Sequence, residues 1–136
     1  MLFFYSASSS PSSSQVFDES ELYDGAEICI TCLDEGYGLG AYNGKKNFAG
    51  VELGDTFDNC TVFVLEENTD GSWGLFDEEG TQYGANSSKD IKTSGSGVDF
   101  TWEIEIDDDG NATLESSGWV LMFNTDNNAF KTYDPT

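Results

Sequence analysis

Carboxylates make up most of the side chains in this sequence that could do chemistry. The run Glu105-Ile-Asp107-Asp-Asp109-Gly110 sets alternating hard oxygen ligands ahead of a glycine turn, which is how a calcium-binding loop opens. Glu105, Asp107 and Asp109 are therefore candidate ligands for a weak calcium site, and no other cofactor is implied. The same outline recurs at Glu66-Glu-Asn68-Thr-Asp70-Gly71. Asp-Gly is a strong turn signal on its own, so the two runs also read as equivalent hairpin turns that need no metal. The glutamate that would close a calcium loop is displaced: Ser116 holds its place and Glu115 falls one position early.

The balance of charge excludes several activities. Twenty-six acidic residues face five lysines, with no histidine, for a formal net charge of −21. A surface that neutralises phosphates cannot be assembled from so few cations, so nucleic acid is not an expected partner, and anionic membranes are repelled as well. Without an imidazole base, Ser-His-Asp and Cys-His nucleophiles are absent, and without arginine so is the usual clamp of phosphoryl transfer. Paired carboxylates could still serve glycoside hydrolysis, but no pair stands out among so many. The expectation is a non-enzyme.

Cys29, Cys32 and Cys60 include a C-x-x-C spacing, yet the surrounding EICITCL alternates as a strand does, which sends residues three apart to opposite faces. Zinc would lack a fourth ligand. Buried thiols acting as small hydrophobes are expected, with a disulfide through Cys60 left open. The opening MLFFYSASSSPSSSQ has a short apolar run, no basic flank and a serine-rich stretch from Ser6 to Ser14 that reads as a linker. Residues 1–20 are read as an N-terminal strand with its linker and 21–136 as one domain. No stretch approaches transmembrane length.

The elements that position these residues repeat. Asp24-Gly25, Asp70-Gly71 and Asp109-Gly110 each precede an alternating apolar segment: Ile28 and Ile30, Trp73 and Leu75, Ala112 and Leu114. A glycine turn follows at Gly36, Gly80 and Gly118, and then Leu39, Tyr83 and Leu121 at matching places. Phe63 with Leu65, and Trp102 with Ile104, end the first two units ahead of the next Asp-Gly. Period-two patterning means half-buried strands. Three units of roughly 40 residues, each with about four short strands, predict an all-β closed barrel of the β-trefoil kind whose third repeat is incomplete. The expected core collects Ile28, Ile30, Leu39, Phe63, Leu65, Trp73, Leu75, Tyr83, Trp102, Ile104, Leu114 and Leu121. The missing last strand could come from Leu2 to Tyr5 at the other end of the chain, or the open edge could be covered by another chain.

From Glu21 onward the sequence resembles a β-trefoil-like accessory domain of large secreted or surface proteins of gut bacteria. Asp24-Gly25, Leu39-Gly40, Trp102, and Phe123-Asn124 with Phe130 and Tyr133 carry the resemblance. It implies an extracellular or cell-surface setting, although no signal peptide is evident, and binding or spacer work within a larger multidomain protein. The glutamine that precedes the repeat tryptophan in ricin-type lectins is replaced by Phe100 before Trp102. Other trefoils bind sugars through an exposed aromatic beside Asp or Asn, which makes Trp119 with Asn124, and Tyr42 with Asn43, the candidate ligand-binding residues for a protein or glycan partner. The alternative is an acidic DNA mimic, of the anti-restriction or anti-CRISPR type, whose carboxylates occupy a basic nucleic-acid-binding groove. Clusters at Glu66-Glu67, Asp77-Glu79 and Asp107-Asp109 would supply it if they segregate onto one face.

Overall fold

The computed structural model describes residues 1–6, 15–54 and 57–135; most of the serine-rich linker lies outside them. Twelve strands run in chain order: β1 (Leu2–Ser6), β2 (Glu27–Cys32), β3 (Tyr37–Tyr42), β4 (Phe48–Glu52), β5 (Phe63–Glu67), β6 (Trp73–Asp77), β7 (Gln82–Ala85), β8 (Ile91–Lys92), β9 (Glu103–Ile106), β10 (Asn111–Ser116), β11 (Trp119–Asn124) and β12 (Ala129–Tyr133). Helix among the described residues is limited to two 3-10 turns, Glu19–Glu21 and Leu33–Glu35.

The molecule is all-β and contains a closed, seven-strand antiparallel barrel. Pairing runs β1, β10, β11, β12, β4, β3, β2 and back to β1. The apolar opening strand makes this closure: Leu2 faces Ala112 on β10, and Phe3 to Ser6 pair with Thr31 to Ile28 on β2. Of the two sources open for the closing strand, the chain's own first segment takes the place, and Phe4 is fully buried there. Strands β5, β6, β7 and β8 branch from β2, and β9 branches from β10. Trp73, which opens β6, exchanges backbone hydrogen bonds of 2.9 and 2.8 Å with Trp102, just ahead of β9. This bridge ties the branch back to the barrel.

All twelve residues expected inside are buried. Burying large aliphatic and aromatic side chains is what drives closure, at roughly 1.5–3 kcal/mol for each. The centre is aromatic: the rings of Phe48, Phe63 and Tyr83 lie 4.9 to 5.9 Å apart, and Tyr42 packs on Phe48 and Tyr83 at 5.4 and 5.3 Å. Trp102 donates its indole N–H to the Tyr83 carbonyl at 2.9 Å, so even this deep polar group is satisfied.

Strand β2 departs from the alternating expectation, since every residue from Ile28 to Cys32 is buried. Its outer face is covered by the chain around residues 57–61. The Phe57 ring lies 4.6 Å from Tyr5, and a Cβ on Gly38 would stand 2.2 Å from the Cys60 sulfur. The hydrophobic pattern of β2 therefore serves two layers, which hides its period of two.

Candidate functional site

Turns carry most of the exposed chemistry, and in each the leading side-chain oxygen accepts backbone N–H bonds. In Asp77–Thr81 and Asp107–Asn111 the leading side chain accepts two backbone N–H bonds through Oδ1: from Glu79 and Thr81 at 2.9 Å each, and from Asp109 and Asn111 at 2.9 Å each. The leading backbone N–H closes on the fifth residue's carbonyl at 2.9 and 3.0 Å. The fourth residue is Gly80 or Gly110, at φ 88° and 87°, a left-handed conformation that glycine adopts without steric cost. Asn86–Asp90 is built the same way, with Asn86 Oδ1 accepting from Ser88 and Asp90 at 2.9 and 3.0 Å. Asn43 Oδ1 gathers three N–H groups, from Lys45, Lys46 and Asn47, at 2.8, 2.9 and 3.1 Å.

These bonds give the sequence candidates their places. Asn43 is committed to its own turn. Tyr42, half-buried, donates its hydroxyl to the Ile91 carbonyl; burial, and then Asp90, raise its pKa. Trp119, also half-buried, donates Nε1 to the Asn86 carbonyl at 2.9 Å, and the Lys89 ammonium stands 5.4 Å over its ring. Asn124 lies at the far end of β11 from Trp119, where its amide donates to the Tyr133 hydroxyl and accepts from Asn127. The structure therefore anchors Trp119 on the Asn86–Asp90 turn and Tyr42 on Ile91, the residue that follows it, and leaves Asn124 apart.

Asp107 has both carboxylate oxygens occupied by turn donors, including the Asn111 side-chain amide at 3.0 Å. Glu105 sits on β9, paired with Thr113, and among the described residues no three acidic or thiol groups gather as a metal cage. The cysteines are free and buried. Burial, with Glu78 adding to it, pushes the Cys29 thiol up to about 11. Burial and the neighbouring Cys29 push Cys60 up to about 12. Neither is a thiolate near neutral pH, so neither is a nucleophile or a ready metal ligand.

Beside Asn86 a polar cleft of about 360 Å³ opens between the 43–47 turn and β8, lined by Tyr42, Lys45, Asn86, Lys92, Thr93 and Ser94 among others. It is held together across the chain: Ile91 donates its N–H to the Lys46 carbonyl at 3.0 Å, and Lys92 donates Nζ to the Lys45 carbonyl at 2.9 Å. A second cleft of about 400 Å³ is more apolar, lined by Leu2, Val120, Leu121, Met122 and Phe123 with Asp34, Glu35 and Asp107 among its polar groups. Of these residues the sequence pointed to Tyr42 and, in its calcium role, Asp107. Asn86, Lys45 and Lys92 were missed, although the placing of four of only five lysines within 45–46 and 89–92 was the available signal.

Compared with models of protein families, with curated proteins and with solved structures, the chain matches none.

Proposed function

We propose that this chain is a non-catalytic binding module with a β-trefoil architecture, recognising a protein or glycan outside the cell as an accessory domain of a larger secreted or surface protein. The trefoil reading is supported by how the pairings recur. Each of β2, β6 and β10 is hydrogen-bonded to the strand before it in the cycle and to the strand that ends its own unit: β1 and β5 for β2, β5 and the Trp102 segment for β6, β9 and β1 for β10. On this reading the units are β2 to β5, β6 to β9, and β10 to β12 completed by β1.

One observation carries the binding reading: the half-buried Tyr42 lines a polar cleft on a closed scaffold, and the half-buried Trp119 is anchored to Asn86 at the edge of that cleft. Closed β scaffolds leave recognition to such turns. The DNA-mimic alternative needs carboxylates on one face. Glu66, Glu67 and Asp70 instead precede β6, while Asp77 ends it and Glu78 and Glu79 follow, placing them at opposite ends of a strand roughly 16 Å long.

Tryptophan emission is the direct test. Trp73 and Trp102 are 8% and 1% exposed, so a ligand that changes emission on titration reports Trp119. Screening of glycans and of extracellular proteins should yield a binder that alters this signal and loses affinity in Trp119→Ala. Binding that is indifferent to both Tyr42→Ala and Trp119→Ala, in variants that still fold, would overturn the reading.

A further inference from the structure

Four of the five lysines of this strongly acidic chain lie on two neighbouring segments. Lys45 and Lys46 occupy the β3–β4 turn, and Lys89 and Lys92 flank Ile91 across the hydrogen bonds already described. Lys131 stands apart, because on β12 it points to the opposite face from the buried Thr132, whose hydroxyl donates to the Lys89 carbonyl at 2.7 Å. With 26 carboxylates available, each lysine could readily have been paired. One ion pair within 4.0 Å joins the Met1 amine to Asp34, away from these lysines. Asp90 is the carboxylate of the same turn, and Asp99 approaches from the β9 side, where its backbone pairs with Ala85.

Lys89 adds a second, independent sign. It holds the fourth position of its turn at φ 66°, where the equivalent turns use Gly80 and Gly110. A side chain is strained in that conformation, so folding alone favours glycine there. Gathering like charges also works against folding. The Lys89 ammonium lies over Trp119, while Lys45 and Lys92 are the cations that line the cleft.

We propose that the cleft between the 43–47 turn and β8 binds an anionic saccharide, a sugar bearing carboxylate or sulfate groups. Lys45 and Lys92 meet the charge, with Lys46 and Lys89 raising the local potential. Asn86, Thr93 and Ser94 supply hydrogen-bonding partners for sugar hydroxyls, and the Tyr42 ring supplies an apolar wall. A volume of about 360 Å³ lies within the range of small-ligand clefts. The −21 body does not forbid this, because at physiological ionic strength charges beyond about 8 Å are largely screened and the local cations decide. This inference rests on the binding-module reading and names its ligand class.

The experiment is calorimetric titration of the whole chain with three oligosaccharides of equal length, one sulfated, one uronate-based and one neutral, together with an oligoglutamate. At least one acidic sugar should bind about tenfold or more tightly than the neutral one. Which of the two does so identifies the anionic group. Lys45→Gln, whose ammonium holds no other part of the fold, should weaken that binding several-fold, and Lys92→Gln should weaken it too if its melting temperature is preserved. Equal affinity for neutral and acidic sugars would overturn the inference while leaving the module reading intact. Binding of oligoglutamate alone, or acidic-sugar binding unchanged in Lys45→Gln, would also overturn it. The module reading fails separately, when no ligand of any class responds to Tyr42→Ala or Trp119→Ala.

Discussion

Two sets of turns in this molecule gather backbone N–H groups on a leading side-chain oxygen and differ in charge. Asp77–Thr81 and Asp107–Asn111 are led by a carboxylate and carry further acids, Glu78 and Glu79 in one, Asp108 and Asp109 in the other. Asn43–Asn47 and Asn86–Asp90 are led by an amide and carry lysines. In both sets a side-chain oxygen collects the backbone N–H groups that the turn leaves without partners. The geometry needs only an oxygen, so carboxylate and amide are interchangeable for folding. What the choice changes is the potential: the amide removes a negative charge from the end of the molecule where the lysines gather. Turn construction and surface charge are thus set by separate features of the same side chain.

The largest effect should come from breaking what both sets depend on. Phe4 is fully buried in the strand that closes the barrel. Phe4→Ala should cost about 3–5 kcal/mol and lower the melting temperature with one cooperative transition seen equally by tyrosine and tryptophan signals. If amides of the amide-led turns kept their protection while those of the carboxylate-led turns lost it, the two sets would not share a scaffold and the comparison would fail.

Asn43→Ala comes next. It removes three backbone partners at once, and by analogy with lost helix caps it should cost about 1–2 kcal/mol, read from denaturant unfolding. Asn43→Asp should retain most of that stability, because the oxygen remains, while weakening the binding of anions nearby. A Asn43→Asp variant as unstable as Asn43→Ala would show that the turn needs the amide itself.

Much of this architecture was legible in the sequence because it is written in local patterns. Alternation and Asp-Gly pairs gave the strands, and all twelve expected core residues are inside. Phe48, Ile91 and Phe130, also fully buried or nearly so, were not in that expected core: β8 has two residues, too few for a period to appear, and β4 and β12 meet only through Ala49, Phe48 and their partners Ala129 and Phe130. The site was harder. Trp119 and Asn124 look like neighbours but stand at the two ends of one strand, whereas Trp119 is bonded to Asn86 and Tyr42 to Ile91, and contacts of that range leave no mark in a single sequence. The lysine neighbourhood is likewise a product of pairing between segments.

Lys89→Gly sharpens the comparison with a smaller effect of opposite sign. It gives the Asn86 turn the residue that its carboxylate-led counterparts have at φ above zero. Relief of the left-handed strain should outweigh the added freedom of the unfolded chain and stabilise the fold by roughly 0.5–1 kcal/mol, while weakening any anion bound nearby. Stability and binding moving in opposite directions would separate the two roles; a destabilised variant would mean that the ammonium over Trp119 contributes more than the strain costs.

The smallest effect is local and depends on pH. The Ser72 hydroxyl, then its backbone N–H, hold Asp70 below the usual carboxylate range, and the Asn111 side-chain amide, then its backbone N–H, do the same for Asp107. A depressed folded value means stabilisation that is present above the ordinary carboxylate pKa near 4 and lost as pH falls through the folded value. The carboxylate-led turn at Asp107 should therefore loosen only below about pH 4, and the Asn43 turn, whose leading side chain has no proton to gain, should not. Global melting is a poor readout, because protonating the remaining acids also relieves the repulsion of a −21 surface. Amide proton shifts separate the two effects: Asp109 and Asn111 should titrate with a midpoint below about 4, while Lys45 and Lys46 stay flat. Movement of all four together would mean that acid acts on the whole barrel, and the charge of the leading side chain would then have no separate role in these turns.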